Sequence, residues 1–347
     1  MDTDTAALRC RFGLRGAPTV RYTRQIEVNR SETAACYSES GSSRGYIARM
    51  AGLLLAHPVF LAHDDTERNA ASPYFPLGIL YLASYVRERG HEVSIFDGTF
   101  AAGEHDFVQH LEATQPDIVG ISALITSRSA ALSLARIAAN FGAIVVIGGP
   151  DPTADPAPYL LEPSVDLVVH HEGEQTIASL MDRVASGTLA VEDLLDEPGI
   201  AFRHDGRIKV NEPRPPIENL DALPEPARDL IDMERYLHQW ESSRGYTSIT
   251  VSTTRGCPFG CEWCTDAVHG TQFRQRSPES VAAEVRNLKE LYGPESIRVV
   301  DDITGIDRDW FEQWSTEADR LDSAVPFEPL DRVNIDDLPM LEVRDSL

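Results

Sequence analysis

"TTRGCPFGCEWCTD", residues 253–266, holds three of the five cysteines of a 347-residue chain within eight positions. Cys257, Cys261 and Cys264 follow the spacing C-x3-C-x2-C, with Trp263 directly before the last thiol. The preceding run, "YTSITVST" (246–253), reads as a strand, so the thiols ride on a loop at a strand's carboxyl end, where β/α folds place their chemistry. Thiolates are soft ligands, suited to iron-sulfur clusters or zinc. Three of them on one loop fit a four-iron cluster whose remaining iron keeps an open position for a substrate or cosubstrate. A structural zinc with His269 as fourth ligand stays open as a rival, although zinc sites more often recruit C-x2-C pairs from two knuckles. Inert buried cysteines are the third reading, one that offers no packing reason for the clustering.

Downstream of the thiols, "SPESVAAEVRNLKELYG" (277–293) reads as a helix capped by Ser277 with Pro278 in its first turn. "SIRVVDD" (296–302) is the next strand, "DRDWFEQWSTEADRL" (307–321) a second helix and "VPFEPL" (325–330) a third strand. Upstream, "GLLLAHPVF" (52–60), "HEVSIFDG" (91–98), "DIVGISAL" (117–124), "AIVVIGGP" (143–150) and "VDLVVH" (165–170) are short apolar runs separated by amphipathic stretches. That alternation specifies a parallel sheet with helices on both faces, a doubly wound Rossmann-like α/β domain. The expected division is a poorly ordered extension over 1–49, the Rossmann-like domain over 50–190, a Pro-rich linker over 191–245 and a partial β/α barrel over 246–347. Met50, which opens the first strand, is an alternative start of the protein.

With 55 acidic residues against 31 basic ones the formal charge is -24, which repels a phosphate backbone and argues against nucleic acid as a partner. The apolar runs are too short to span a bilayer, and the first residues carry aspartates in place of a signal peptide's apolar core. These features point to a cytoplasmic, reducing location, where clustered cysteines serve metal or redox chemistry.

The sequence resembles the radical S-adenosylmethionine superfamily, in the branch with an amino-terminal cobalamin-binding domain (class B methyltransferase-like). The resemblance rests on "STTRGCPFGCEWC", "RQRSPESVAAEV" and "IRVVDDITGIDRDW" in the second half, and on "SPYFPLGILYLASYVRERGHEVSIFDG", "VVIGGPDPTADP" and "VVHHEGEQT" in the first, in the family's order. It implies a 4Fe-4S cluster on Cys257, Cys261 and Cys264 beside Trp263, with S-adenosyl-L-methionine bound to the fourth iron and reductively cleaved. Asp301 and Asp302 stand where the superfamily commonly binds the methionine amino group, in place of its usual Gly-Gly-Glu. Cobalamin is expected at the strand ends of the first domain, near Asp97, Gly148, Gly149, Glu172, Gly173 and Glu174. His171 stands where the family more often has Gly. No D-x-H-x-x-G occurs, so the histidine that ligates cobalt from below in many carriers has no counterpart; His57, His170 and His171 are weaker candidates.

The implied activity is methyl transfer to an unactivated carbon or phosphorus centre of a small-molecule substrate, with ring-forming or rearranging chemistry as alternatives. A flavodoxin or ferredoxin would supply electrons. Only about a hundred residues follow the start of the motif strand, room for three β/α units at roughly 30 residues each, against six in the superfamily barrel. A non-catalytic corrinoid or cluster binding protein, or half of a two-chain enzyme with a second polypeptide completing the barrel, is the competing expectation.

Overall fold

The computed structural model describes residues 50–63, 72–262, 264, 268–304 and 306–328. The 1–49 extension, with Cys10 and Cys36, and Trp263 lie outside them. Strand β1 (Gly52–His57) shows how the first domain is built. Its residues Leu53 to Ala56 are almost completely buried and alternate between two cores. Leu53 and Leu55 pack with helices α1 (Leu77–Glu88) and, later in the chain, Glu174–Ser186. Leu54 and Ala56 face the opposite layer. A strand buried on both faces reads as a continuous apolar run, as this one does.

The chain continues through β2 (Glu92–Asp97), α2 (Glu104–Thr114), β3 (Ile118–Ser122), α3 (Arg128–Asn140), β4 (Ile144–Gly148), the short α4 (Pro150–Ala154) and α5 (Ala157–Leu160), β5 (Leu167–Val169) and α6 (Glu174–Ser186). The sheet order is β2-β1-β3-β4-β5, all parallel. This is the doubly wound arrangement the apolar alternation predicts, with its switch point between β1 and β3.

The sheet does not stop at residue 190. Strands β6 (Ile200–His204) and β7 (Arg207–Val210), inside the stretch expected to be a linker, extend it as an antiparallel hairpin. The hairpin turn is Asp205-Gly206, both at positive φ (+49° and +73°), a strong short-range hairpin signal that the Pro-rich segment after it obscured. Helix α7 (Met233–Arg244), also in that stretch, buries Tyr236 and Trp240 completely.

The second domain begins with β8 (Ser248–Val251), a two-residue ribbon of β9 (Thr254–Arg255) and β10 (Arg274–Gln275) flanking the cysteine loop, and α8 (Pro278–Tyr292). Then follow β11 (Ser296–Val299), α9 (Arg308–Leu321) and β12 (Phe327–Glu328). The parallel order is β12-β11-β8, two β/α units followed by a third strand among the described residues. Ser277 caps α8 by accepting from the Ser280 N–H at 3.1 Å. Ile249, Val251, Ile297 and Val299 pack against Val281, Val285, Trp310 and Phe311. No helix among the described residues is long and apolar enough to cross a membrane.

Two buried carboxylates hold this domain together. Glu284 of α8 is fully buried between Arg228, 2.7 Å away, and Arg276. Burial alone would raise its carboxyl, yet the two guanidinium groups keep it below the usual carboxylate range. Asp301, just past β11, accepts from the N–H groups of Thr253 (2.6 Å) and Thr254 (3.0 Å) and from the Thr253 hydroxyl, so it ties β11 to the strand that leads into the cysteine loop. Burial pushes its carboxyl up to about 6 despite those three donors.

Glu284→Gln should leave two guanidinium groups buried without a counterion and cost about 3–5 kcal/mol, read from urea unfolding followed by tryptophan fluorescence. Asp301 predicts a pH effect of definite sign. Its carboxyl is raised in the folded state, so its contribution favours folding below about pH 4 and is lost as pH rises toward 6, a change of about 3 kcal/mol. The difference in unfolding free energy between wild type and Asp301→Asn should therefore shift across that window and be flat above it.

Candidate functional site

At the carboxyl ends of β1, β3, β4 and β5 the structure opens into a cleft of about 470 Å³. It lies at the switch point, where helices leave to opposite faces and the strand ends are uncovered. Its floor includes Leu55 and His57 of β1, Gly120 to Ser122 of β3 and Gly148 after Val146 of β4. Gly149 follows at φ +116°, and a Cβ there would stand 2.7 Å from the Ala123 carbonyl oxygen. Only glycine lets the turn after β4 press this closely on the turn after β3, which keeps the floor bare. Helices α1 and α6 both begin at the rim without a side-chain cap.

Part of the wall comes from the second domain: Arg255, Val268, His269 and Asp302 all line the same cleft. Asp302 Oδ2 accepts from the Gly256 N–H at 2.8 Å and pairs with His269 Nδ1 at 2.9 Å. Burial raises its carboxyl, but the His269 bond and charge outweigh this and hold it below the usual range. Gly256 has φ +82°, and a Cβ on it would lie 2.2 Å from the Gln272 carbonyl, so the two limbs of the cysteine loop meet at their neck. Cys257 N–H closes the same neck on the Gly270 carbonyl at 3.1 Å.

Cys257 and Cys261 are half-buried and Cys264 is exposed, all three on this loop. Among the described residues no group of three or more His, Cys, Asp or Glu side chains converges as ready-made metal ligands. The donor set nevertheless suits a soft cluster: three thiols on one accessible loop, which a metal centre gathers as it binds.

The other sequence-predicted residues divide. Gly148, Gly149, Glu172, Gly173, Glu174 and Asp302 line the cleft. Asp97 is taken up elsewhere, accepting from the Tyr236 hydroxyl (2.8 Å) and the Thr99 N–H (3.0 Å), and so joins β2 to α7. Asp301 supports the motif strand from beneath. Glu172 and Glu174 reach the cleft wall but pair with arginines: Arg255 Nη2 donates to Glu174 at 2.6 Å, and Arg274 Nη1 stands 2.6 Å from Glu172. Both arginines stand in motifs that carry the resemblance, and only the fold shows that they reach the cleft wall. His57 and His171 line the cleft. Burial lowers the basicity of His57 against the opposing pull of Asp97, so its ring is held neutral. His171 adopts φ +61°, a left-handed conformation that glycine takes more readily, and donates its N–H to Thr153 Oγ1. His170 is buried beside it and edge-on to its ring at 5.3 Å.

Residues 67–181 match the B12 binding domain family. An uncharacterized methyltransferase of Pyrococcus horikoshii, PH0819, is 36% identical over 236 residues, which are 65% of this chain and 48% of the relative. Cytidylyl-2-hydroxyethylphosphonate methyltransferase of Streptomyces wedmorensis is 28% identical over 277 residues, 66% of this chain and 51% of the relative. This chain therefore spans about half the length of the curated relatives it matches. The solved radical S-adenosylmethionine methyltransferase TsrM of Kitasatospora setae, with cobalamin and a [4Fe-4S] cluster bound, superposes with a TM-score of 0.67 at 16% identity, over 86% of this chain and 57% of that one. Residues 67–181 thus match a B12 binding domain, and the described chain shares the fold of solved radical S-adenosylmethionine proteins with cobalamin bound, in the order that the cleft and the cysteine loop already dictate.

Proposed function

We propose that the chain binds cobalamin in the cleft and a 4Fe-4S cluster on Cys257, Cys261 and Cys264, and uses S-adenosyl-L-methionine to methylate an unactivated carbon or phosphorus centre of a small molecule. The observation that carries this reading is contiguity: residues of the cysteine loop and its supports form one wall of the cleft whose floor is the Rossmann-like sheet. A group held on the floor and one held by the thiols would share a single space. Two matched relatives named as methyltransferases support the choice of reaction.

When bound, the cluster supplies the electron that cleaves S-adenosylmethionine, and the corrinoid carries the methyl group. The chain's own residues provide the enclosure. Leu55, Leu82, Val146, Val169 and Ile177 give the cleft an apolar lining that excludes water, while Gly148, Gly149 and Gly173 keep backbone accessible to a flat ligand. Of the two aspartates, Asp302 is the better receiver of the methionine ammonium group. Among the described residues its hydrogen bonds use only Oδ2, and its side chain is 39% exposed, whereas Asp301 spends both oxygens on Thr253 and Thr254. A flavodoxin or ferredoxin in a reducing cytoplasm is the proposed electron donor.

A second reading is a corrinoid or cluster binding protein without turnover, or one half of a two-chain enzyme. Production of 5'-deoxyadenosine and methylated product by the anaerobically reduced chain separates the two.

Anaerobic reconstitution should load about four irons and four sulfides per chain, with visible charge-transfer absorption that is lost when Cys257, Cys261 and Cys264 are replaced together by alanine. Stoichiometric zinc without sulfide would overturn the assignment. Hydroxocobalamin should give a saturable spectral change. Gly78 lines the cleft, and nothing lies within 4 Å of a Cβ built there, so Gly78→Phe should fill the cleft without strain. At least tenfold weaker cobalamin binding, about 1.4 kcal/mol or more, is expected with an unchanged circular dichroism spectrum.

A further inference from the structure

Arg255 and Arg274 stand directly opposite each other on the β9–β10 ribbon at the neck of the cysteine loop. Both side chains are buried, 7% and 4% exposed. Like charges facing across a strand pair repel, and a buried guanidinium has given up its water. Neither β9 nor β10 contains an acidic residue. The compensating charge comes from the first domain, from the three-residue stretch Glu172-Gly173-Glu174 between β5 and α6.

Glu174 accepts from Arg255 Nη2 at 2.6 Å, Glu172 lies 2.6 Å from Arg274 Nη1, and the second Glu172 oxygen is 3.6 Å from Arg255 Nη1. That second oxygen also accepts from the Ile217 N–H at 2.9 Å, and Arg274 Nη1 donates to the Ile217 carbonyl at 2.8 Å, so the segment after the hairpin is drawn into the same knot. Two cations and two anions thus neutralise each other in the interior. Burial works against ionised Glu174, but the charge and hydrogen bond of Arg255 prevail and hold its carboxyl below the usual range. Arg255 is two residues from Cys257, and Gly256 between them is wedged against the Gln272 carbonyl. Where the ribbon closes, the first thiol is placed.

We infer that Glu172 and Glu174 are positioning residues for the cysteine loop: by neutralising the facing arginines from the neighbouring domain they hold the ribbon shut and set where Cys257 stands. Only the iron readout below rests on the proposed cluster. Hydrogen-deuterium exchange on the full chain without metal tests the closure by itself. In Glu174→Gln the amides of residues 254–257 and 270–276 should exchange at least about tenfold faster, while the buried strand β1 stays protected. In Glu174→Gln/Arg255→Gln, which removes both members of the pair, exchange should return to within about threefold of wild type, because no buried charge is left unpaired. Unchanged exchange in the single variant, or no recovery in the double one, overturns the inference. Should Glu174→Gln unfold throughout, Glu174→Asp keeps the charge with a shorter reach; a rise confined to the ribbon supports the inference and no rise overturns it. Iron and sulfide uptake, with the electron paramagnetic resonance signal of the reduced cluster, should fall and recover in the same pattern. A wild-type chain that takes up no iron would overturn the cluster reading, and the exchange result would still decide this inference.

Discussion

Two arginines opposed across a two-residue ribbon are tolerable only because two glutamates from the neighbouring domain reach them, and that interaction joins the carboxyl ends of the two parallel sheets. Buried ion pairs contribute little net stability, because desolvation offsets most of the attraction, but they are costly to break and exacting in geometry. That suits a junction that must set distance and orientation. Tyr236 on Asp97 and Arg228 on Glu284 and the Thr250 carbonyl add further polar ties between α7, its flanking segments and the two sheets.

The consequence is a single cleft with two kinds of wall. Its floor comes from strand ends that glycines keep bare, and the facing wall from the supports of a loop that carries three thiols. Chemistry that passes a group between a flat macrocycle and a metal-bound cosubstrate needs both in one enclosed volume, shielded from water. The stretches from the two domains that meet there are Glu172-Gly-Glu174 and Thr254-Arg255-Gly256.

Much of this was legible in the sequence. The continuous apolar run of β1 and the alternation of strand and helix from residue 52 onward specify a doubly wound sheet, because strands buried on both faces must be apolar on both. The cysteine spacing and the Ser277-Pro278 helix start are equally local, and both are where they were expected. The hairpin at 200–210 was missed. Its Asp205-Gly206 turn is a local signal, but the strands are short and carry Arg, His and Lys at the sheet edge, where solvent tolerates charge.

Local pattern determined which segments become strands and helices, where their ends fall and which residue types gather on the loop after β8, since periodicity and capping act over a few positions. Only the tertiary structure decided partners. Asp301 and Asp302 are neighbours in sequence, yet one is buried beneath the motif strand and the other faces the cleft beside His269. Asp97 turns to Tyr236, 139 residues away, and Glu174 finds Arg255 across 81 residues. A carboxylate's role depends on which donor the packing brings within about 3 Å, a distance that chain position does not encode.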